Sequence, residues 1–174
     1  MRLGLVALVV GLWAVRLTAN WAITYPGLPH EDWRYPLLRS RAPRAALLVD
    51  LTGVHLVPTL QVFVATLPVL VVTRSSREAG WLDALALVVG VGAVLLQHVS
   101  DRQLHRFTRT RTPGQVLDTG PWAWSRHPNY FGELLFWVSV ALFGLAAAPD
   151  LWWWVLPGPV LMLAILLGAS IPMM

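Results

Sequence analysis

Nine residues, Ser125-Arg126-His127-Pro128-Asn129-Tyr130-Phe131-Gly132-Glu133, set a guanidinium, an imidazole, an amide, a phenol and a carboxylate at the mouth of an apolar run. Charged and amide groups at a membrane boundary are costly to desolvate, so each needs a partner or a ligand. Pro128 suits the first position of a helix, where its missing N–H is no loss. Arg126, Asn129 and Glu133 then recur at steps of three and four, which predicts one shared helix face. Free backbone N–H groups at that helix start, with Arg126 and His127 beside them, suit an anionic ligand such as a phosphate. Glu133 falls one turn inside the apolar helix, where an unpaired carboxylate is expensive. A protein partner such as Arg106, or a ligand donor, is therefore expected for it.

A second constellation is Gln97-His98-Val99-Ser100-Asp101-Arg102-Gln103-Leu104-His105-Arg106. Gln97, Asp101 and His105 follow at four-residue steps and line one face. An ordered Asp accepts from a sugar hydroxyl or an amide, and Arg106 and Arg109 are suited to clamping phosphates bidentately. The alternative is a solvated helix end with local ion pairs. The stretch His30-Glu31-Asp32-Trp33-Arg34-Tyr35 either lines a pocket mouth or forms a salt-bridged cap. Its consecutive His and acids would not converge on an ion, so no metal site is expected. Asp50 and His55 lie inside another apolar run. There His55 is either an interhelical hydrogen-bonder or a candidate catalytic group that donates a proton or polarises a carbonyl.

The elements that must position these groups are membrane helices. Apolar residues make up 56% of the 174-residue chain, and mean hydropathy is +0.60, far from a soluble domain's balance. Five apolar runs, Leu3–Ala19, Ala45–Val72, Trp81–Val99, Tyr130–Ala148 and Leu151–Ile171, mostly approach the roughly 20 residues that span a bilayer. The expectation is an all-α, polytopic helical membrane protein of about five transmembrane helices, with residues 1–174 as a single domain. The first run resembles a signal peptide, but no small-residue cleavage site follows, so it is assigned as a span. The second run, at about 28 residues, would measure roughly 42 Å as a helix. It must tilt or kink, and Pro58 and Pro68 are the natural points.

All thirteen basic residues are Arg, and there is no Cys, which excludes disulfides and thiol chemistry. Five spans place Arg16, Arg34, Arg39, Arg41, Arg44, Arg102, Arg106, Arg109, Arg111 and Arg126 at one face, and only Arg2, Arg74 and Arg77 at the other. That asymmetry predicts cytoplasmic loops at about 20–44 and 101–127 and an N-terminus outside. Thr112-Pro113-Gly114 and Thr119-Gly120-Pro121 are turn signals within the second of those loops. Trp81, Trp122, Trp124 and Trp152-Trp153-Trp154 sit near span ends, as an interfacial belt would. A pI near 10.6 suits anionic lipid headgroups or an anionic cofactor. A nucleic-acid partner is not expected, because no basic, aromatic-laced soluble face is present.

With these residues in view, the chain resembles the bacterial membrane proteins described as steroid 5-alpha-reductase-like. The shared pieces are RLTANWA (16–22), HEDWRY (30–35), GVHLVPT (53–59), SDRQLHRF (100–107), DTGPWAWSRHPNYFGE (118–133) and GASIPMM (168–174). RHPNYFGE is common to a superfamily that includes isoprenylcysteine carboxyl methyltransferases, whereas HEDWRY and DTGPWAW favour the reductase-like branch. The resemblance implies a helical domain in the bacterial inner (plasma) membrane with a cytosol-facing NADPH pocket. Asp101, Asn129 and Glu133 would help to hold the dinucleotide, with Arg126, Tyr130 and Arg106 as neighbours; Gln97, Arg109 and His127 complete the expected cofactor set. Hydride transfer would reduce a carbon–carbon double bond conjugated to a carbonyl in an apolar lipid-like or steroid-like substrate, while a membrane acid stabilised the enolate oxygen.

Two features depart from the pattern. The reductases use a Gln-Glu pair and a Tyr on the substrate carbonyl; here Gln61 has no acidic neighbour, and His55 is the substitute. Family members also continue beyond the Ile-Pro element into a polar, basic tail that helps close the cofactor pocket, whereas this chain stops at Met174. Two other functions stay open: an S-adenosylmethionine-dependent methyltransferase on the same scaffold, and a non-catalytic membrane subunit with a partner in a membrane complex.

Overall fold

The computed structural model describes residues 1–25, 27, 31, 32 and 34–171. His30, Trp33 and the closing 172–174 lie outside them. All regular structure among the described residues is helical. The first span is α1 (Arg2–Thr24), followed by the short α2 (Arg34–Arg41). Four more helices follow: α3 (Pro43–Arg74), α4 (Trp81–Thr110), α5 (Pro128–Ala147) and α6 (Pro149–Gly168). All but α2 are long and apolar enough to cross a membrane. The protein is an integral membrane helical bundle.

Helix starts follow local chemistry. Proline opens α3, α5 and α6, where no N–H is lost. The Asp83 carboxylate accepts the Gly80 backbone N–H at 2.8 Å and so caps α4. Helix α4 runs past the apolar edge at Val99 to Thr110, so the loop expected over 101–127 begins at Arg111. Polar residues continue a helix once its nucleation is complete, which is why the apolar run underestimates the element. In α3 the winding loosens to a π-helix over Asp50–Leu56, directly before Pro58. Pro68 stays within the regular helix that follows and is buried.

Small residues set the closeness of the central helices, as they do where lipid removes the hydrophobic drive. The broadest interface is between α4 and α5. A Cβ on Gly132 of α5 would meet Gln97 Cγ at 2.6 Å and the Ala93 carbonyl at 3.1 Å. Nearby, Ser139 Oγ donates to the Ala86 carbonyl at 2.7 Å, a buried interhelical bond. On the other flank of α5, Gly144 abuts Pro68 of α3, and Gly158 of α6 lies against Ala65 of α3, where an added Cβ would meet Ala65 Cα at 2.6 Å.

The two ends of the bundle differ. At one, Arg2 is buried against Asp83 at 2.6 Å and also donates to the carbonyls of Arg77 and Glu78. One of the three Arg on the sparsely charged face is thus consumed in an internal ion pair. At the other end, the exposed Arg102, Arg106, Arg109, Arg111 and Arg126 cluster around the end of α4 and the loop after it. Because α1 and α4 run parallel, Arg2 meets Asp83 at the first end and Arg16 meets Asp101 towards the second.

Candidate functional site

The polar groups of α4 and α5 meet the first helix near the Arg-rich end. Asp101 accepts from the Arg16 guanidinium of α1 and, at 3.4 Å, from Asn129 Nδ2 of α5. Both members of the ion pair are nearly buried, their side chains 11% and 10% exposed. One turn further along α5, Glu133 accepts the indole N–H of Trp13 and that of Trp137, each at 3.0 Å. Trp13 stacks on Phe136 at 4.6 Å between centroids, and Trp137 meets both rings edge-on. The result is a carboxylate held in an aromatic wall. Its expected partner from residues 97–106 is not there: Glu133 is paired by α1 and by its own helix. The reason is geometric, because Gly132, not Glu133, faces the Gln97 turn of α4.

Gln97 is fully buried beside this cluster, and neither its amide nitrogen nor its amide oxygen has a hydrogen-bond partner. The same holds for Arg16 Nε. Buried polar atoms are nearly always satisfied, so these three are left for water or a ligand to satisfy. The Trp122 indole N–H donates to the Ser100 carbonyl at 3.1 Å and pins the loop after α4 to that helix. Gly114 (φ 88°) and Gly120 (φ 58°) take up the left-handed backbone at the two turn signals.

The remaining expected residues divide. His127 and Tyr130 stack at 5.6 Å at the start of α5, and Tyr130 lies within electrostatic reach of Arg34. Arg106, Arg109 and Arg126 are exposed and have no ion-pair partner among the described residues. Arg126 precedes the helix, so the face shared by Asn129 and Glu133 does not include it. His55 is exposed on α3, its Nδ1 2.8 Å from the Asp50 carbonyl. No hydrogen bond among the described residues links it to the Asp101–Glu133 cluster.

The 30–35 stretch forms a salt-bridged cap in its described part. Asp32 binds Arg34 in a fork at 2.9 and 2.7 Å, and this contact holds the Arg34 guanidinium charged beyond its ordinary range. Arg39 of α2 bridges Glu31 and Asp50, which ties the loop to α3. Sequence spacing missed Arg16, Trp13 and Trp137. Arg16 had a signal, a lone cation ending an apolar run; Trp137 had its four-residue spacing from Glu133; Trp13 had none, because its partner lies 120 residues away.

Fold and site define an integral membrane bundle with a buried ionic and amide cluster shared by three helices. The chain belongs to the family described as "Protein of unknown function (DUF1295)", whose profile matches residues 1–174. It is 27% identical over 177 residues to the "Uncharacterized protein C594.04c" of Schizosaccharomyces pombe, an alignment that covers 88% of this chain and 51% of that protein. The chain thus spans about half the length of this curated relative. No solved structure matches it.

Proposed function

We propose that the chain is the membrane-embedded core of an NADPH-dependent reductase acting on an enone in a lipid or steroid-like substrate at the bacterial plasma membrane. One observation carries the reading. Asp101 and Asn129, two of the three positions for which the resemblance to steroid 5-alpha-reductase-like proteins implies dinucleotide contact, are hydrogen-bonded to each other across two helices, and the third, Glu133, lies one turn beyond Asn129.

The residues fit a phosphate-bearing dinucleotide. The unpartnered Gln97 amide and Arg16 Nε offer a donor–acceptor set beside Asp101, suited to a carboxamide or a sugar hydroxyl. The unpaired guanidinium groups of Arg106, Arg109 and Arg126 suit phosphates. Bound there, the cofactor would supply a hydride to the carbon β to the carbonyl, and a proton from solvent would complete the reduction at the α carbon. Arg16 holds the Asp101 carboxylate in place, and Asn129 fixes its other oxygen. The indoles of Trp13 and Trp137 hold the neighbouring Glu133 carboxylate by its two oxygens.

Calorimetric titration of the protein in detergent with NADPH, and separately with S-adenosylmethionine, tests the proposal. NADPH is expected to bind and S-adenosylmethionine not. Asp101→Asn, which forfeits a charge-assisted contact, should weaken NADPH about 10- to 150-fold in the folded fraction. Binding of S-adenosylmethionine alone would replace the reductase with the methyltransferase.

A further inference from the structure

A groove of about 370 Å³ runs between α1 and α4 on the outer surface of the bundle. Its two ends differ in chemistry. The inner end is apolar, formed by Leu12, Val15, Val94 and Leu95. The other end, towards the Arg-rich face, is lined by Asn20, His98, Arg102 and His105. Between them the Arg16–Asp101 pair forms part of the wall, with Arg16 Nε unpartnered. From Leu12 to Ile23 the lining covers about 16 Å of helix at the usual rise.

The charge in the groove is unbalanced. Asp101 neutralises Arg16, whereas the Arg102, His98 and His105 side chains have no hydrogen-bond or ion-pair partner among the described residues. A bare cationic mouth above an apolar floor is complementary to an amphiphile with an anionic head. Basic pockets between membrane helices bind phosphate-bearing lipid heads for this reason. The apolar floor is reached from the membrane side, since Val15 and Leu95 are 71% and 58% exposed in the bundle.

We propose that this groove is a binding site for an anionic phospholipid of the surrounding bilayer. One acyl chain lies along Leu12, Val15 and Leu95, and the phosphate sits at Arg102, His98 and His105. The site goes beyond the proposed reduction: it shares the Arg16–Asp101 wall with the nucleotide set, but its three head-group residues lie outside that set.

Native mass spectrometry of delipidated protein, titrated with phosphatidylglycerol or with phosphatidylcholine, reads the site directly. Phosphatidylglycerol should bind about fivefold more tightly, as one unpaired Arg near the membrane surface provides. Arg102→Gln should bring the two lipids to parity while thermal stability and NADPH titration stay unchanged. Leu95→Trp, which fills the apolar end, should reduce retention of phosphatidylglycerol. Equal retention of the two lipids by the native protein, a preference that survives Arg102→Gln, or full displacement by inorganic phosphate would each overturn the proposal. Loss of NADPH binding with lipid selectivity intact would count against the reductase and leave the groove in place.

Discussion

Glu133→Gln is the substitution that the geometry treats most harshly for its size. Both carboxylate oxygens accept indole N–H groups, from Trp13 and Trp137, at 3.0 Å. A Gln retains one acceptor oxygen and turns an NH₂ towards the other indole, donor against donor. One hydrogen bond to a charged group is lost, about 1.5–3 kcal/mol. At the scaling of a domain this size, that lowers Tm by roughly 3–12 °C. The readout is thermal unfolding of the intact chain in detergent, followed by tryptophan fluorescence. Trp13→Phe keeps the stack on Phe136 and removes the donor that the Gln would oppose. The double variant should therefore lose less than the sum of the singles, with a coupling of at least about 0.5 kcal/mol. A Glu133→Gln protein as stable as the native one, or strictly additive variants, would refute the indole-bound carboxylate.

Three further outcomes follow from the packing. Asp83→Asn, which leaves Arg2 buried without its charge partner, should cost about 3–5 kcal/mol, while Arg2→Met with Asp83→Leu should recover most of it; urea or thermal unfolding reads both. Gly158→Ala would press a methyl group into the Ala65 backbone and should lower stability by about 1–3 kcal/mol in the same assay. Cysteines placed at Gly114 and Ser76 should react with an impermeant maleimide from opposite sides of the membrane, Gly114 from the cytoplasm; labelling from one side would end the five-span assignment.

Membrane spans were readable because twenty apolar residues have few other fates, and the start of α5 was readable because Pro128 limits the alternatives. The end of α4 was not: Ser100–Thr110 is polar, and hydropathy says nothing about a helix that leaves the lipid. Asp101 and Asn129 stood out by type, and they do meet. The partners of Glu133 stayed hidden for a physical reason. An acid in an apolar helix demands a donor, and Arg is the obvious one, but two tryptophans can supply the same hydrogen bonds without a second buried charge. Trp137 stands only four residues on along α5, but the choice of Trp13 depends on how α1 packs on α5, a long-range fact that no local spacing encodes. The salt-bridged cap, one of the two readings of 30–35, was local, with Asp32 and Arg34 only two positions apart, and its described part was correspondingly easy to foresee.

The proposed function requires a dinucleotide held at Asp101 and Asn129. The protein, incubated with equal amounts of NADPH and S-adenosylmethionine, desalted in mild detergent and then denatured, releases whatever it kept, and mass spectrometry identifies it. NADPH should be retained by the native chain and lost by a folded Asp101→Asn variant. Retention of S-adenosylmethionine, of neither molecule, or of NADPH equally by the variant would contradict it.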